Sequence, residues 1–539
     1  MNGPGMTDAV VVGSGPSAVH AAWPLVMAGH RVEMLDVGSR DEVYAPLIPD
    51  GSFTQIRRSD EGQHRYFLGD RFEGVPSGSA RVGAQLTPPR AYVNRDVAAL
   101  TPVESANFTG MESLAMGGLG AAWGAGVGRF TEGDLAGLPI GLADLAPHYS
   151  AVEARIGVSG DDDDLTESLG LHQSMMPALP VDTVPARILE RYRENRSRCL
   201  DSGFRLGVTR LAACSREWKG RGPHRLDDLD FWSDKARAVY RPVWTLNELI
   251  ARPNFSYRPG LLVHRFHESS GRVTVYCRRP DGGEEQFEAR ALVLGAGVFG
   301  TARIVLRSLG LYHRPVPYVC NPYTYAPCLN PGMIGRDVAD ARHSLSQLTA
   351  TFLPPGTGWP EMHVSIYSYR SLLTFKLMKE SPLSAPSSLR LMRALMPLLT
   401  ILGMHHADEP AEGKRVILLP AAAGTPERLA ITHQQAVAVS ERIEQQERRL
   451  FRRMRSLGSF PLKRIRPGPG SSIHYAGTFP MSASPGELQT TPEGRLAGTG
   501  QVYLADGSLL DRLPAKGPTL TFMANADRIG TLLAARLRA

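Results

Sequence analysis

The sequence is poor in cysteine and has no long apolar run. Its 539 residues include 5 cysteines, a low and odd count that does not suit a disulfide-stabilised fold. Cys320 and Cys328 are too far apart for a C-x-x-C motif. No segment approaches the roughly 20 apolar residues of a membrane span, and the first residues lack the basic and apolar segments of a secretory signal. We therefore expect free thiols in a reducing compartment and a cytoplasmic protein.

The charge excess is small and dispersed. The net charge is +7 at pH 7, and the densest basic segment, residues 448–466, is more typical of a solvated helix face and loop than of a nucleic-acid-binding patch. The acidic run at residues 161–164 is typical of a solvated turn. His405, His406 and Asp408 lack the i, i+4 spacing of a helical metal site. We expect no nucleic-acid partner and no metal.

Residues 387–406 form an apolar segment with two interpretations. The segment predicts a buried helix, although Arg390, Arg393 and Pro397 interrupt its apolar face. A helix of this kind can also lie in the interface of a bilayer. Contact with a membrane surface is therefore kept as an alternative.

The first motif with a chemical meaning is a glycine turn between a strand and a helix. Gly13, Gly15 and Ala18 follow the apolar strand "AVVV", and Asp36 ends the next strand, "RVEMLD". In this context Gly13 permits a tight turn, Gly15 lets backbone N–H groups approach a pyrophosphate, and Ala18 allows close packing of helix on strand. The helix N-terminus favours phosphate charge, and Asp36 can accept from ribose hydroxyls. The motif predicts a dinucleotide site without distinguishing NAD from FAD.

The rest of the chain predicts a mixed α/β protein. Residues 255–293 contain three segments of alternating apolar residues, typical of strands, and the last runs through Gly295 into a helix. Further strands are predicted at "EMHVSIYSY" and "RVILLP", and a helix at 434–457. The C-terminus predicts a strand, a loop and a closing helix.

Four further segments resemble the glucose-methanol-choline oxidoreductase family, whose members bind FAD. "GGLGAAWG" resembles the family's second flavin-contacting loop, and "ALVLGAGVFGTARIVLRSLG" resembles the strand and helix that complete its FAD domain. "SSIHYAGTFPM" resembles its active-site histidine motif, and "VYLADGSLLDRLPAKGPTLTFMANADRIG" resembles its closing segment. The matches follow the family's order but leave residues 311–467 almost uncovered.

The resemblance implies an architecture and a set of FAD contacts. The expected fold class is α/β, with a Rossmann-like FAD-binding domain interleaved with an α+β substrate domain built on a β-sheet. The FAD-binding domain would comprise residues 1–155, 245–310 and 468–539, and the substrate-binding domain 156–244 and 311–467. The strand that carries Ala505 is expected beside the first strand. The expected cofactor-binding residues are Gly13, Gly15, Ala18, Asp36, Gly117, Gly118, Trp123, Gly124, Val263, Asp506, Gly507 and Thr519.

We expect FAD to be held noncovalently. Family members that attach their flavin covalently resemble one another in using a histidine near the "GG…WG" loop. Here residues 116–128 contain no His, Cys or Tyr.

By the same resemblance His474 is the catalytic base. An imidazole with a pKa near 6.5 is mostly neutral at pH 7.5 and can accept a hydroxyl proton. The family usually adds a second His or Asn in its closing loop, but Gly517 occupies that place here. A backbone group, a water or Lys516 could replace that contact, and Asn525 is a more distant amide.

The resemblance thus implies a FAD-dependent alcohol dehydrogenase or oxidase. The expected substrate is a small polar alcohol, such as a sugar, amino sugar or cyclitol of bacterial biosynthesis. The electron acceptor is left open among oxygen, a quinone and a protein. Three alternatives stay open: a FAD-containing lyase that uses His474 without net redox chemistry, a membrane-surface oxidoreductase acting on a lipid-linked substrate, and a non-catalytic FAD-binding protein.

Overall fold

The computed structural model describes residues 7–75, 86–170, 172, 174–336, 343–368 and 381–538. Its strands, numbered β1 to β21 in chain order, are Thr7–Val12, Val32–Leu35, Val103–Glu104, Val158–Ser159, Met175–Met176, Phe204–Val208, Phe255–Arg258, Leu262–Ser269, Arg272–Arg278, Glu284–Leu294, Pro315–Pro317, Val319–Cys320, Tyr323–Leu329, Leu348–Phe352, Met362–Ser368, Leu399–His405, Lys414–Leu419, Arg428–His433, Phe460–Pro461, Tyr475–Ala476 and Val502–Leu504. Its α-helices, numbered α1 to α14, are Pro16–Met27, Phe53–Ser59, His64–Phe67, Val97–Leu100, Glu132–Leu135, Leu142–Ile156, Thr166–Leu169, Thr183–Glu194, Arg196–Asp201, Pro242–Ile250, Val298–Ser308, Ala385–Leu395, Val437–Ser456 and Thr519–Arg538.

A seven-stranded sheet is built around β1. Its order is β7–β2–β1–β10–β9–β8, and β21 pairs with the C-terminal part of β10. β1 is parallel to β2 and β10, and β21 is parallel to β10. The prediction that the strand before Ala505 lies beside β1 is therefore wrong by one place. The apolar end of β10, residues 291–294, is buried and fills the position between β1 and β21, as suits a strand covered on both faces.

The closing helix α14 packs against α1, the helix that follows the glycine turn. Gly530 of α14 lies so close that a Cβ there would be 2.2 Å from the carbonyl oxygen of Ala21. Helix α1 runs through Pro24 without ending, and a Cβ on Gly530 would also meet the Pro24 ring at 2.7 Å. The C-terminus is thereby fixed beside the first strand–helix unit.

A six-stranded antiparallel sheet provides the other large surface, in the order β19–β13–β16–β15–β14–β6. One face of this sheet packs a hydrophobic core that includes Leu402, Met404, Val364 and Ile366. Helix α13 contributes Leu450 to the same core. It spans nearly the range predicted for a helix at 434–457.

Residues 387–406 do not form one helix. Helix α12 ends at Leu395, a 3₁₀ turn follows, and residues 399–405 are strand β16 inside the six-stranded sheet. The prediction failed because "LTILGMH" has the alternation of a strand, which a long apolar window hides. Among the described helices, none is both long and apolar enough to cross a membrane.

Candidate active site

A cavity of about 1030 Å³ separates the two large sheets. On one side it is lined by the loops that follow β1, β2, β10 and β21, which is the carboxyl end of the parallel strands. Ligands of open α/β sheets bind at this end. On the other side it is lined by residues of β13, β15 and β16. The cavity brings together all of the predicted site residues except Ala18 and Gly117, which support its walls.

The glycine turn after β1 is shaped for close backbone approach. Gly13 has a φ of +90°, and a Cβ there would lie 2.8 Å from the carbonyl oxygen of Gly295. Gly295 is in turn packed on α1, since a Cβ on it would lie 2.8 Å from the Cβ of Ala18. Larger residues at these positions would force the loops after β1 and β10 apart. The small residues thus hold two loops together at the N-terminus of α1.

Asp36 lies at the end of β2 and is tied to this turn. Its Oδ2 accepts hydrogen bonds from Ser14 and, at 3.0 Å, from the Tyr257 hydroxyl. Burial raises the pKa of Asp36 to about 6, against the opposing effect of these hydrogen bonds. Ser14 also accepts from the backbone N–H of Gly117 at 2.9 Å. One hydroxyl therefore links the acidic residue to the second glycine loop.

The second glycine loop crosses directly over the first. A Cβ on Gly118 would lie 3.2 Å from the Cα of Gly15. Trp123 is fixed by a 2.7 Å hydrogen bond from its ring N–H to the carbonyl oxygen of Tyr240. Gly124 next to it lines the cavity and is exposed. The loop presents backbone, rather than side chains, to a ligand at this point.

The C-terminal segment closes the same wall. Asp506 accepts hydrogen bonds from Thr301 at 2.6 Å and from the backbone N–H of Ser508 at 2.9 Å. A Cβ on the adjacent Gly507 would lie 2.7 Å from the carbonyl oxygen of Tyr475, so this loop is pressed against the strand that follows His474. Thr519 begins α14, whose N-terminus lines the cavity, and Val263 of β8 lines its far end.

His474 lies where the two halves of the cavity meet. Its Nδ1 is 3.1 Å from Oδ1 of Asn321, which leaves Nε2 as the nitrogen available to a ligand. Strand pairing explains the contact: Cys320 faces Tyr475 across the antiparallel pair β12–β20, so the residues flanking them come together. Asn321 carries no motif in the sequence, and its contact with a residue 153 positions away could be found only from this pairing.

Two further histidines line the cavity from the six-stranded sheet. Tyr323, His405 and His363 are in register across β13, β16 and β15, and so share one face. The His405 ring stacks on His474 at a centroid distance of 4.9 Å and an angle of 22°. It also lies 4.6 Å from the Tyr323 ring. The sequence predicted the strand that carries His363, but it predicted a helix for the segment that ends in His405, so the contact between His405 and His474 was not expected.

Alternation along these strands sorts the residues into two sets. The cavity face carries hydroxyls, rings and one aliphatic residue, Ile401, and the opposite face contributes to the core. This is expected because successive side chains of a strand point to opposite sides of the sheet. The cavity-lining residues of the three strands are Tyr323, Tyr325, His363, Ser365, Tyr367, Ser368, Ile401 and His405.

Burial keeps the three histidines neutral. It lowers the pKa of His474 to about 4 and that of His363 to about 3. The pKa of His405 is lowered further below its ordinary value, by burial and then by the neighbouring histidines. The pKa of His474 thus lies below the value near 6.5 expected from the sequence. An unprotonated imidazole at neutral pH is a competent proton acceptor.

The closing loop shows what surrounds Gly517. A Cβ at Gly517 would have the carbonyl oxygen of Gly126 as its nearest neighbour, at an ordinary 3.7 Å. Lys516 turns away from His474, because its ammonium donates to Asp134 at 2.6 Å and to the carbonyl oxygen of Ser168. Asn525 is buried in α14 and accepts from Arg528 at 3.0 Å. Both side chains are thus engaged by other protein groups, whereas His405 and His363 line the same cavity as His474.

The described residues contain no group of three or more His, Cys, Asp or Glu side chains that could hold a metal ion. His406 points away from the cavity, with Nε2 3.3 Å from Oε1 of Glu447. Asp408 forms an ion pair with Lys414 and accepts from the backbone N–H of Cys320 at 2.7 Å. These two residues belong to the framework behind His474.

The known proteins that are similar to the chain include two curated oxidases and a solved oxidase structure. Paromamine 6'-oxidase from Streptomyces fradiae is 28% identical over 316 residues, which is 56% of this chain and 50% of that protein. The match thus spans about half of that relative's length. 6'''-hydroxyparomomycin C oxidase from Streptomyces lividus is 25% identical over 99% of this chain and 92% of its own length. No protein-family profile matches.

The fold is similar to that of pyridoxine 4-oxidase from Mesorbium loti. The TM-score is 0.56 at 15% sequence identity, and the superposition covers 98% of this chain and 99% of the other. This similarity shows the fold alone. The two proteins that are similar in sequence are both named as oxidases.

Proposed function

We propose that the chain is a FAD-dependent oxidoreductase of the glucose-methanol-choline type that oxidises an alcohol carbon of a small polar substrate, with His474 as the base. The observation that carries the proposal is the cavity itself. It joins a glycine-lined cradle at the carboxyl end of a parallel sheet to a neutral histidine whose Nε2 is available to a ligand.

The residues of the cradle fit a dinucleotide. A cavity of about 1030 Å³ is at the large end of the range for cofactor sites. Gly13, Gly118 and Gly507 lie where a Cβ would meet backbone atoms at 2.7 to 3.2 Å, so these loops keep their spacing only with glycine. Gly15 caps the N-terminus of α1, where N–H groups and the helix dipole favour a pyrophosphate.

The proposed contacts divide along the cavity. Asp36 would accept a ribose hydroxyl through its carboxylate, which Ser14 and Tyr257 hold in place by hydrogen bonds to Oδ2. Val263 would meet the adenine through backbone groups. The ring, ribityl and pyrophosphate portions would be held by Gly117, Gly118, Trp123, Gly124, Asp506, Gly507 and the helix N-terminus at Thr519, and Ala18 would keep α1 close to the sheet.

His474 would remove the proton that alcohol oxidation must release. FAD, when bound, supplies the hydride acceptor. The chain contributes a neutral Nε2 to take the hydroxyl proton and a cavity wall to orient the carbon. No carboxylate is among the groups that shift the pKa of His474. The imidazolium that forms would therefore have to release its proton to water before the next cycle.

The sheet face opposite the cradle suits a ring-shaped polar alcohol. This face carries three tyrosines, two serines and two histidines. The rings offer flat apolar surfaces, and the hydroxyls and ring nitrogens offer hydrogen bonds, the combination that orients small ligands. The sequence relatives are named for paromamine and a hydroxyparomomycin. We propose a sugar, amino sugar or cyclitol alcohol of bacterial biosynthesis for this chain as well.

The domain arrangement belongs to the same proposal. A FAD-binding domain of residues 1–155, 245–310 and 468–539 would contain the seven-stranded sheet. A substrate-binding domain of residues 156–244 and 311–467 would contain the six-stranded sheet. The interleaving is supported by β21, which returns to the first sheet after the second sheet is complete.

An anaerobic screen of alcohols for bleaching of the bound flavin tests the function. Paromamine, pyridoxine and a set of free sugars and cyclitols are the first probes, and an oxidase or dehydrogenase bleaches with at least one alcohol. A lyase never reduces its flavin, so turnover without bleaching would replace the redox proposal. Readmission of oxygen, or addition of a quinone, then identifies the acceptor. A protein that binds none of the probes and no flavin would refute the proposal.

Attachment of the flavin is tested separately. We propose noncovalent FAD, because residues 116–128 offer no His, Cys or Tyr near the second glycine loop. Acid precipitation should release the yellow chromophore into the supernatant. Colour that remains with the pellet would contradict this.

A further inference from the structure

We propose that Asn321 is a positioning residue: it holds His474 with a proton on Nδ1, so that Nε2 meets the substrate as an unprotonated acceptor. This inference rests on the proposed function for its catalytic meaning. That His474 has a single tautomer and a single ring orientation follows from the contacts of the buried Asn321 amide alone.

The orientation of the Asn321 amide is fixed by three carbonyl groups. Its Nδ2 donates one hydrogen to the carbonyl oxygen of His406 at 2.8 Å and the other to that of Pro514 at 3.0 Å, and the carbonyl oxygen of Leu513 lies beside them at 3.4 Å. Turning the amide over would set Oδ1 against these carbonyl oxygens, which can only accept. Oδ1 must therefore be the atom that faces His474.

The tautomer of His474 follows from that orientation. Oδ1 of Asn321 is an acceptor, so the Nδ1 atom of His474 at 3.1 Å must donate to it. A neutral imidazole carries one proton, and Nε2 is then left with its lone pair. The hydrogen bond at Nδ1 thus determines that Nε2 is the proton acceptor.

The segments around Asn321 form a rigid junction. Asp408 and Leu513 exchange backbone hydrogen bonds at 2.8 and 2.9 Å, and the Asp408 carboxylate accepts from the N–H of Cys320 at 2.7 Å. Asn321 therefore joins the end of β16, which carries His405, to the closing loop that leads to Gly517. Displacement of either segment would rotate the amide and, through it, the His474 ring.

The groups that face His474 are otherwise uncharged or paired. His405 and His363 come from the six-stranded sheet, and burial lowers the pKa of each. Lys516 from the closing loop is paired with Asp134. The contact with Asn321 is the one hydrogen bond to the ring nitrogens of His474 among the described residues. Its removal would leave the ring held by packing alone.

A measurement on the native holoenzyme tests the tautomer directly. Histidine is labelled with ¹⁵N at both ring positions, and the spectrum of His474→Gln identifies the signals of His474 by difference. At pH 7 we expect the shift of a protonated nitrogen for Nδ1 and of an unprotonated one for Nε2. A proton on Nε2 would overturn the proposal.

Substitutions then test whether Asn321 is the cause. Asn321→Asp keeps an acceptor oxygen towards Nδ1 but loses the donor to the carbonyls, whereas Asn321→Leu loses both at similar volume. Asn330→Asp is the matched control: Asn330 is also a buried amide that donates to a backbone carbonyl, that of Leu398 at 2.8 Å, outside the cavity lining. Exchange of the imidazole C2 hydrogen with deuterium, read by peptide mass spectrometry, gives the titration midpoint of His474 without any substrate.

The expected pattern separates positioning from simple support. A carboxylate beside Nδ1 favours the imidazolium, so the midpoint in Asn321→Asp should rise by at least about 1 pH unit, with no rise in Asn321→Leu or Asn330→Asp. For an alcohol found in the screen, kcat should fall ~10–100-fold in Asn321→Leu, with KM nearly unchanged, and be better preserved in Asn321→Asp.

Two outcomes overturn the assignment. They are a midpoint in Asn321→Asp equal to the native value, and equal losses of kcat in the aspartate and leucine variants. A raised midpoint in a protein that oxidises none of the alcohols would instead refute the proposed function while leaving the role of Asn321 in orienting His474 intact.

Discussion

Removal of the His474 side chain is the sharpest test of the proposed chemistry. A positioned base contributes ~10²–10⁴-fold to a rate, which is about 3–5 kcal/mol. The neighbouring His405 ring stacks on His474 at a centroid distance of 4.9 Å, so its nitrogens do not occupy the position of Nε2 of His474. We therefore expect His474→Ala to retain FAD and to reduce it with substrate at least ~100-fold more slowly than the native enzyme.

The pH dependence gives a second, independent signature. The base must be neutral to act, and the pKa of His474 is lowered to about 4 by burial. At substrate concentrations well below KM, the rate of flavin reduction should therefore be constant from pH 8 down to about 5.5 and fall only below about pH 5. An unperturbed histidine would produce a fall near pH 6.5.

Anaerobic stopped-flow absorbance of the bound flavin measures both effects. His433→Ala is the matched control, because His433 is a buried histidine whose pKa is also lowered to about 4, yet it contacts Tyr318 and lies outside the cavity lining. The control should lose stability but keep its rate of flavin reduction. Native-like reduction in His474→Ala, or an acid limb near pH 6.5 in the native enzyme, would refute the reasoning.

Three further changes have expected outcomes. Gly13→Ala forces a Cβ to 2.8 Å from the Gly295 carbonyl oxygen, so the protein should be purified with much less flavin; native flavin content would contradict the cradle. Lys516→Met removes the cation beside the part-buried Asp134, which keeps its hydrogen bonds from Thr131; loss of this charged hydrogen bond should cost about 1.5–3 kcal/mol, visible as a lower thermal midpoint. His363 is neutral in the fold with a pKa of about 3, below the unfolded 6.5, so acid favours unfolding; between pH 7.5 and 4.5, His363→Gln should lose about 2–3 kcal/mol less stability than the native chain.

The local elements could be predicted from the sequence, but their neighbours could not. Strand β1, helix α1 and Asp36 follow from short-range glycine and alternation patterns, and they lie as expected. The predicted place of β21 was wrong because β10 lies between β1 and β21, and the order of strands in a sheet does not follow from local patterns. His474 could be singled out from the sequence because the residues of its motif are adjacent in the chain, and the structure places it in the cavity lining.

The substrate side of the cavity could not be predicted for a different reason. His405 was considered only as a metal ligand and lies at the end of a segment predicted as a helix. The structure instead places it at the end of β16, in register with His363 and Tyr323, and its ring stacks on His474. Asn321 gave no signal at all. Both are brought to His474 by pairing between distant strands, which no local pattern encodes.

The alternation along β13, β15 and β16 also bears on how this enzyme could be redesigned. Odd-numbered positions such as 323, 363 and 405 face the cavity, and Ser368 at the end of β15 also lines it, while even-numbered residues such as Val364, Leu402 and Met404 fill the core. A library confined to the odd positions would vary the substrate surface and leave the packing that holds the sheet untouched. An insertion or deletion of one residue within any of these strands would do the opposite, because beyond that point the cavity-lining side chains would point into the core and the core side chains into the cavity.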